Sequence, residues 1–379
     1  MPSDRSCKAS PHRGPTVPGK GATALVTRLG RGPLADGFVR LLEGAAPWRP
    51  GVLAVLTYHR VDEPSARPDL MPSLLSATPA TFGAQVRCLA ERFRPVSMAE
   101  VLEAVGRPTR LPPRAVLVTF DDAYRDFDRH AWPILRAAAV PVTLFVPTAY
   151  PGRQIEEFWW DRLWAALRST SRRDRLMTPG GALPLGTAAN RTDAMRELRA
   201  WIKGIDDRMA MGEVDRIVGE LGPPGDPTTP GADLVAGPAA GPAARPAAGP
   251  AVLDWDALRR LALEGVTLAA HTRTHPLLDR VDLDRAIAEI AGSREDLERE
   301  VGPAPPVLAY PSGAHGAPAV EAARRAGMTL AFTTERGGND LRHADPLRLR
   351  RINVGLRAGT PLIRGQLVWA STLGARRAG

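Results

Sequence analysis

Short apolar, β-branched runs alternate with longer stretches of helical periodicity from Gly51 almost to the end of the chain. Val52 to Tyr58 is the first such run. Thr78 to Phe93 follows as a helix, with Thr78 placed to cap it ahead of Pro79. Further strands are predicted near Arg94 to Val96, at Val116 to Phe120, and at Val142 to Val146, with helices near Met98 to Val105 and Arg129 to Ala139. The later half repeats the pattern: helices at Trp255 to Leu263, Asp282 to Glu300, Ala317 to Ala326 and Thr360 to Ala370, and strands at Val266 to Ala270, Val307 to Tyr310, Thr329 to Thr333 and Leu349 to Val354. Strands separated by helices pair in parallel. With this many units and no glycine-rich phosphate loop, the expectation is an α/β fold, a distorted (β/α) barrel of about seven parallel strands.

The pattern breaks in three places. Residues 1–33 are polar and rich in Pro, Gly, Arg and Ser, and read as a disordered basic tail; 372–379 read as a second tail. Residues 34–50 form a lead-in whose Leu34, Phe38, Leu41 and Leu42 lie on one face of a short amphipathic helix, for packing or, alternatively, for a membrane surface. Residues 51–149 then form the first part of the barrel and 252–371 the second. Between them a helical insertion is predicted over 150–236, opening on Phe158-Trp159-Trp160-Asp161, and a low-complexity Pro/Ala/Gly loop over 237–251. The aromatic run reads as a packing face, with a sugar-stacking surface as the alternative.

Composition narrows the function classes. The 379 residues, 44% of them hydrophobic, suffice for one large core with an excursion. A net charge of +9 comes mainly from arginines scattered along the chain, without the basic-aromatic interleaving of a nucleic-acid reader, so no nucleic-acid partner is expected. Weak peripheral contact with an anionic membrane is the most that the charge supports. Cys7 and Cys88 fit neither a metal spacing nor a disulfide framework, which points to a reducing compartment. The start Met1-Pro2-Ser3-Asp4-Arg5 lacks an apolar signal region, and no run has bilayer-spanning length. The expected location is therefore the cytoplasm, with the inner face of the membrane as a peripheral option.

The chemistry gathers where predicted strands stop. Val116 to Phe120 ends in Asp121-Asp122, and Val266 to Ala270 ends in His271-Thr272-Arg273-Thr274-His275. Pro276 disfavours helical geometry at His275, so the histidines lie on a loop rather than one helix face. An Asp pair alone reads first as a helix start. Joined with two imidazoles at strand ends of one barrel, it reads as a divalent metal site. About three protein ligands with an open position are wanted there, and two histidines and one carboxylate fill that count, leaving the second carboxylate as a base. Zinc suits these donors best, with cobalt, nickel, manganese or iron as alternatives.

Thr119-Phe120-Asp121-Asp122 and His271-Thr272-Arg273-Thr274-His275 resemble the first two motifs of the polysaccharide deacetylases (carbohydrate esterase family 4, the chitooligosaccharide-deacetylase-like enzymes). Tyr310-Pro311-Ser312-Gly313 resembles a reduced third motif, and Thr57-Tyr58-His59-Arg60-Val61 and the Phe158-Trp159-Trp160-Asp161 stretch resemble exopolysaccharide-type bacterial members. The resemblance, over about residues 51–354, implies a metal-dependent hydrolase of carbon–nitrogen bonds that removes acetyl groups from N-acetylated sugars in a polysaccharide, oligosaccharide or glycan precursor. It implies Asp121 as base, Asp122, His271 and His275 as metal ligands, and the Tyr310 backbone N–H as oxyanion donor. Three positions depart from the pattern: Ala123 replaces a glycine, Ala309 replaces the arginine that holds the base, and the late Leu-x-x-His that supplies a general acid is missing. His59 and His315 are the candidate substitutes for the acid, and Arg350 or Arg351 for the arginine. Two other functions use the same residues: a non-catalytic carbohydrate-binding barrel, and a metal hydrolase of O-acetyl esters or cyclic amides.

Overall fold

A computed structural model describes residues 33–222 and 251–374. The expected tails and the low-complexity loop lie mostly outside these residues. Seven strands close into a parallel barrel: β1 (Val52–Tyr58), β2 (Ala115–Phe120), β3 (Val142–Val146), β4 (Thr267–Ala270), β5 (Val307–Ala309), β6 (Leu330–Arg336) and β7 (Leu349–Asn353). Each pairs with the next in sequence, and β1 pairs in parallel with both β2 and β7 to complete the ring. Arg94–Pro95 adds to the outside of β2, and Asn339–Asp340 runs antiparallel to β1.

The near-continuous apolar runs follow from this closure, because a barrel strand is covered on both faces. Every residue of β1, β2 and β3 is buried. Alternate residues divide between two cores. Leu53, Val55, Leu117, Phe145, Ala269, Val307, Ala309, Phe332 and Leu349 fill the interior. Ala54, Leu56, Tyr58, Val116, Val118 and Phe120 face the helices.

Helix α1 (Pro33–Ala45) precedes the barrel, and α2 (Pro79–Arg92) and α3 (Met98–Ala104) lie between β1 and β2. Thr78 caps α2 by accepting from the Thr81 N–H, and Ser97 and Glu100 form a reciprocal capping box on α3. Where one helix was expected over Arg129 to Ala139, residues 127–131 form a wider π-turn and α4 runs only from Trp132 to Ala137. Pro133, which has no N–H to donate, sits in the first turn of α4, the place where that loss costs nothing.

The face of α1 also differs from the expected one. Leu41 is 69% exposed and Phe38 38%, while Val39 and Glu43 are buried. The helix is fastened by charge: Arg364, on α11 (Thr360–Trp369), donates to both oxygens of Glu43 at 2.7 and 2.6 Å and also pairs with Asp36. No helix among the described residues is long and apolar enough to cross a membrane.

Between β3 and α8 (Trp255–Leu263) stand α5 (Trp159–Ser169), a hairpin of Arg175–Thr178 and Gly181–Pro184, α6 (Ala188–Ile202) and α7 (Asp207–Leu221). Helices α9 (Leu283–Glu300) and α10 (Ala317–Arg325) cover β4, β5 and β6.

Candidate active site

The carboxyl ends of β1, β2, β4, β5 and β7 converge on one buried cluster. β2 is carried one step past Phe120 by a hydrogen bond from the Asp121 N–H to the Tyr58 carbonyl, 2.9 Å. The chain then turns through positive φ at Asp122 (71°) and Ala123 (50°). That left-handed pair is where glycine is favoured, which accounts physically for the glycine expected at 123. It also sends the two adjacent carboxylates in different directions.

Asp122 faces the histidines. Nε2 of His271 and Nε2 of His275 each lie 3.4 Å from Asp122 Oδ1. One donor atom from each residue fits within 4.8 Å of the others, and all three side chains are buried. His271 Nδ1 is 2.7 Å from the Ala309 carbonyl. A carbonyl only accepts, so Nδ1 carries the proton and Nε2 keeps its lone pair toward Asp122. Burial pushes the His275 imidazole below its ordinary pKa, and the charge of His271 adds to that, favouring the neutral, ligating form. For His271 burial acts in the same direction, but the facing Asp122 and Asp121 outweigh it. Two imidazole nitrogens and one carboxylate oxygen, all buried and with the His271 ring oriented by a carbonyl behind it, fit a divalent cation with room for further ligands.

Asp121 belongs to a different partnership. Arg351, on β7, places its two terminal nitrogens 2.8 Å from the two Asp121 oxygens, and its Nε donates to the Thr333 carbonyl at 2.8 Å. Burial alone would raise the Asp121 pKa. The Arg351 guanidinium, His271 and His59 hold it below the usual value, so the carboxylate stays ionised and free of the histidine pair. Of the two arginines considered from sequence, only Arg351 reaches Asp121. Arg350 faces Glu335 at 3.5 Å.

The His271–His275 loop is clamped from α9. Buried Glu289 accepts from the backbone N–H groups of Arg273 and Thr274 and from the Thr274 hydroxyl, at 2.9, 2.8 and 2.6 Å. Asp296 pairs with Arg273 and accepts from Thr148, tying the loop to the end of β3. This clamp holds Thr272 (φ 65°) and His275 (φ 62°) in the left-handed region. If Asp122, His271 and His275 hold a divalent ion, Glu289→Gln is expected to lower its affinity about 10- to 100-fold, the usual cost of loosening what orients a ligand. Calorimetric zinc titration checks this, and unchanged affinity would show that the loop holds its shape unaided.

Other expected site residues fare differently. His59 follows β1, which pairs with β2 as far as Tyr58 and Phe120, so it stands next to the strand end that carries Asp121, and its N–H donates to Ser76. Tyr310 does not fill the expected role. The β5 ladder runs one residue further, so the Tyr310 N–H is given to the Phe332 carbonyl at 3.0 Å, and the phenol donates to Leu347. His315 is not brought into the cluster either. Its ring lies against the Gly313 carbonyl (2.6 Å) and Glu335 (3.3 Å), because the turn after Pro311 directs it outward to β6.

The aromatic segment is a packing face. Phe158 and Trp160 are buried and set their rings 5.6 and 5.0 Å from that of His275. Trp160 donates to the Tyr124 hydroxyl, which donates to Asp161, whose pKa burial pushes up to about 6. Arg199 and Lys203, whose charges reach Asp122, were not singled out from the sequence. Nothing distinguishes them there from the other basic residues of an arginine-rich helix.

Residues 236–331 match the polysaccharide deacetylase family. Over 96 residues the chain is 34% identical to the poly-beta-1,6-N-acetyl-D-glucosamine N-deacetylase of Escherichia coli (strain K12), a match covering 25% of this chain and 14% of that protein. Among solved structures it is similar to the Streptococcus pyogenes deacetylase PplD in complex with acetate, with TM-score 0.53, 18% identity, and 84% of this chain and 99% of the other covered. It is also similar to a de-N-acetylase from Aggregatibacter actinomycetemcomitans, with TM-score 0.50, 16% identity, and 83% and 99% covered. At these identities the structures bear on the fold alone, and they agree with the closed parallel barrel. The matched stretch carries the histidine pair, and the carboxylates that complete the cluster come from β2 outside it; over that stretch the chain is similar to the polysaccharide deacetylase family, and it spans a small part of the length of the Escherichia coli relative.

Proposed function

We propose that the protein is a metal-dependent N-deacetylase of sugars, with Asp122, His271 and His275 holding one divalent ion, zinc before cobalt, nickel, manganese or iron. The observation that carries this reading is the separation of roles within one cluster. One aspartate faces two histidines, and its sequence neighbour is held apart, ionised, by a bidentate arginine. An ion bound to the triad supplies Lewis acidity, polarising an acetyl carbonyl and making water a better nucleophile.

The chain's own residues do the rest. Asp121 accepts the proton of the attacking water, and Arg351 fixes its orientation while leaving it anionic. His59, at the end of β1 next to the end of β2, is the residue we assign to proton delivery at the departing amine. Burial of the cluster excludes bulk water and strengthens each of these interactions. The name of the Escherichia coli relative makes polymers of N-acetylglucosamine the first substrates to try.

The experiment is acetate release from N-acetylglucosamine oligomers by protein stripped with chelator and reloaded with each metal in turn. Activity should vanish on stripping and return with zinc, and His271→Ala should leave the protein with substoichiometric zinc by elemental analysis. Acetate release that survives stripping would overturn the metal reading. An inert, fully zinc-loaded protein across N-acetylated sugars would overturn the deacetylase reading.

A further inference from the structure

Two cations on the segment between β3 and α8 are not used by the chemistry above, and one of them reaches the loop that follows β5, just past the Ala309 carbonyl that holds His271. Lys203 ends α6 and donates to the Ser312 hydroxyl at 2.8 Å; Ser312 sits at φ 54° in the loop that follows β5. Arg199, four residues earlier and so on the same helix face, donates to the Ser73 hydroxyl at 2.9 Å. Both side chains are half-buried. Among the described residues neither has a carboxylate at ion-pair distance, whereas Arg162, Arg172, Arg196 and Arg216 of the same segment are each paired. The Arg199 Nε is buried with no hydrogen-bond partner.

The electrostatics agree with the contacts. Burial, with the charge of Arg199 added, pushes the Lys203 ammonium down to about 8, and burial lowers the Arg199 guanidinium as well. The one carboxylate felt by both is Asp122, which faces the two histidines. Two neighbouring cations partly withdrawn from water, with no carboxylate at ion-pair distance, are unfavourable. A ligand that brings negative oxygens relieves that cost, and a guanidinium, an ammonium and a hydroxyl are suitable donors for it.

We propose that Arg199, Lys203 and Ser312 form an anion-reading subsite next to the triad, so that the preferred substrate is an N-acetylated sugar carrying a phosphate or carboxylate group. This deepens the deacetylase reading and rests on it for the acetyl chemistry. Phosphate and carboxylate share the charged oxygens that the subsite reads, and the probes below tell them apart.

The test compares N-acetylglucosamine 1-phosphate, a glucuronate–N-acetylglucosamine disaccharide and neutral diacetylchitobiose. Binding is measured by calorimetry on zinc-loaded protein and again after chelation, where an anion cannot gain by ligating the metal. At least one anionic sugar should bind about 10-fold or more tightly than the neutral one in both states, more weakly as salt is raised. Whichever sugar carries the advantage names the anion. Arg199→Gln and Lys203→Gln should each shrink the anionic-to-neutral ratio of kcat/KM, with melting temperatures reporting that both variants fold. Equal binding of anionic and neutral sugars, or variants that lower turnover of both alike, would overturn the subsite. The two readings fail separately: acetate released without anionic preference removes only the subsite, and anionic binding without acetate release removes only the deacetylase.

Discussion

An Asp121→Asn variant is expected to keep its metal and lose turnover by about 10²- to 10⁴-fold, the range that a positioned general base contributes. The amide is close to isosteric with the carboxylate, and none of the three residues assigned to the ion is altered. Zinc content by elemental analysis should therefore match that of the unaltered protein while acetate release collapses. The variant should also melt earlier. The Asn oxygen can still accept from one nitrogen of Arg351, but its NH₂ would meet the other donor head-on, leaving part of a buried guanidinium uncompensated. A fall in zinc content would place Asp121 among the ligands instead. Turnover at the original rate would remove it from the chemistry.

The sequence made the barrel legible because its strands are buried on both faces, and their apolar runs end abruptly at the residues that do chemistry. Thr78 before Pro79 and Ser97 with Glu100 marked helix starts for reasons that need no tertiary knowledge. Asp122, His271 and His275 were legible as a group, since each strand end lacks what the other supplies. Beyond that, local pattern loses its hold. Whether the Tyr310 N–H was free depended on one more rung of the β5–β6 ladder, a matter of register between strands about twenty residues apart. His315 was two residues from Gly313 in either reading, and only the turn decided which way it faced. Ala309 looked like a loss. In the structure its carbonyl orients His271, and the missing arginine is replaced from two strands away. No spacing rule joins positions 121 and 351, so sequence could name Arg350 and Arg351 as candidates but could not choose between them.

That replacement carries the last of the large effects. Arg351 is 1% exposed, on a strand where only a partnered charge is tolerable, and its three donating nitrogens are all used: two on Asp121, one on the Thr333 carbonyl. Arg351→Met keeps much of the volume but strands the Asp121 carboxylate in the barrel without its counter-charge. Breaking a buried pair from one side costs about 3–5 kcal/mol, so the melting temperature should fall sharply. Turnover should fall at least about 10²-fold as well, because the base loses the contact that both orients it and keeps it ionised. Arg351→Lys separates the two functions of the guanidinium. It restores the charge but not the planar fork, so stability should recover further than turnover does. Zinc content should hold in both variants, since Arg351 contacts none of the residues assigned to the metal. If Arg351→Met melted and turned over like the unaltered protein, the base would need no partner, and Ala309 would be a true loss that the β7 arginine does not repair.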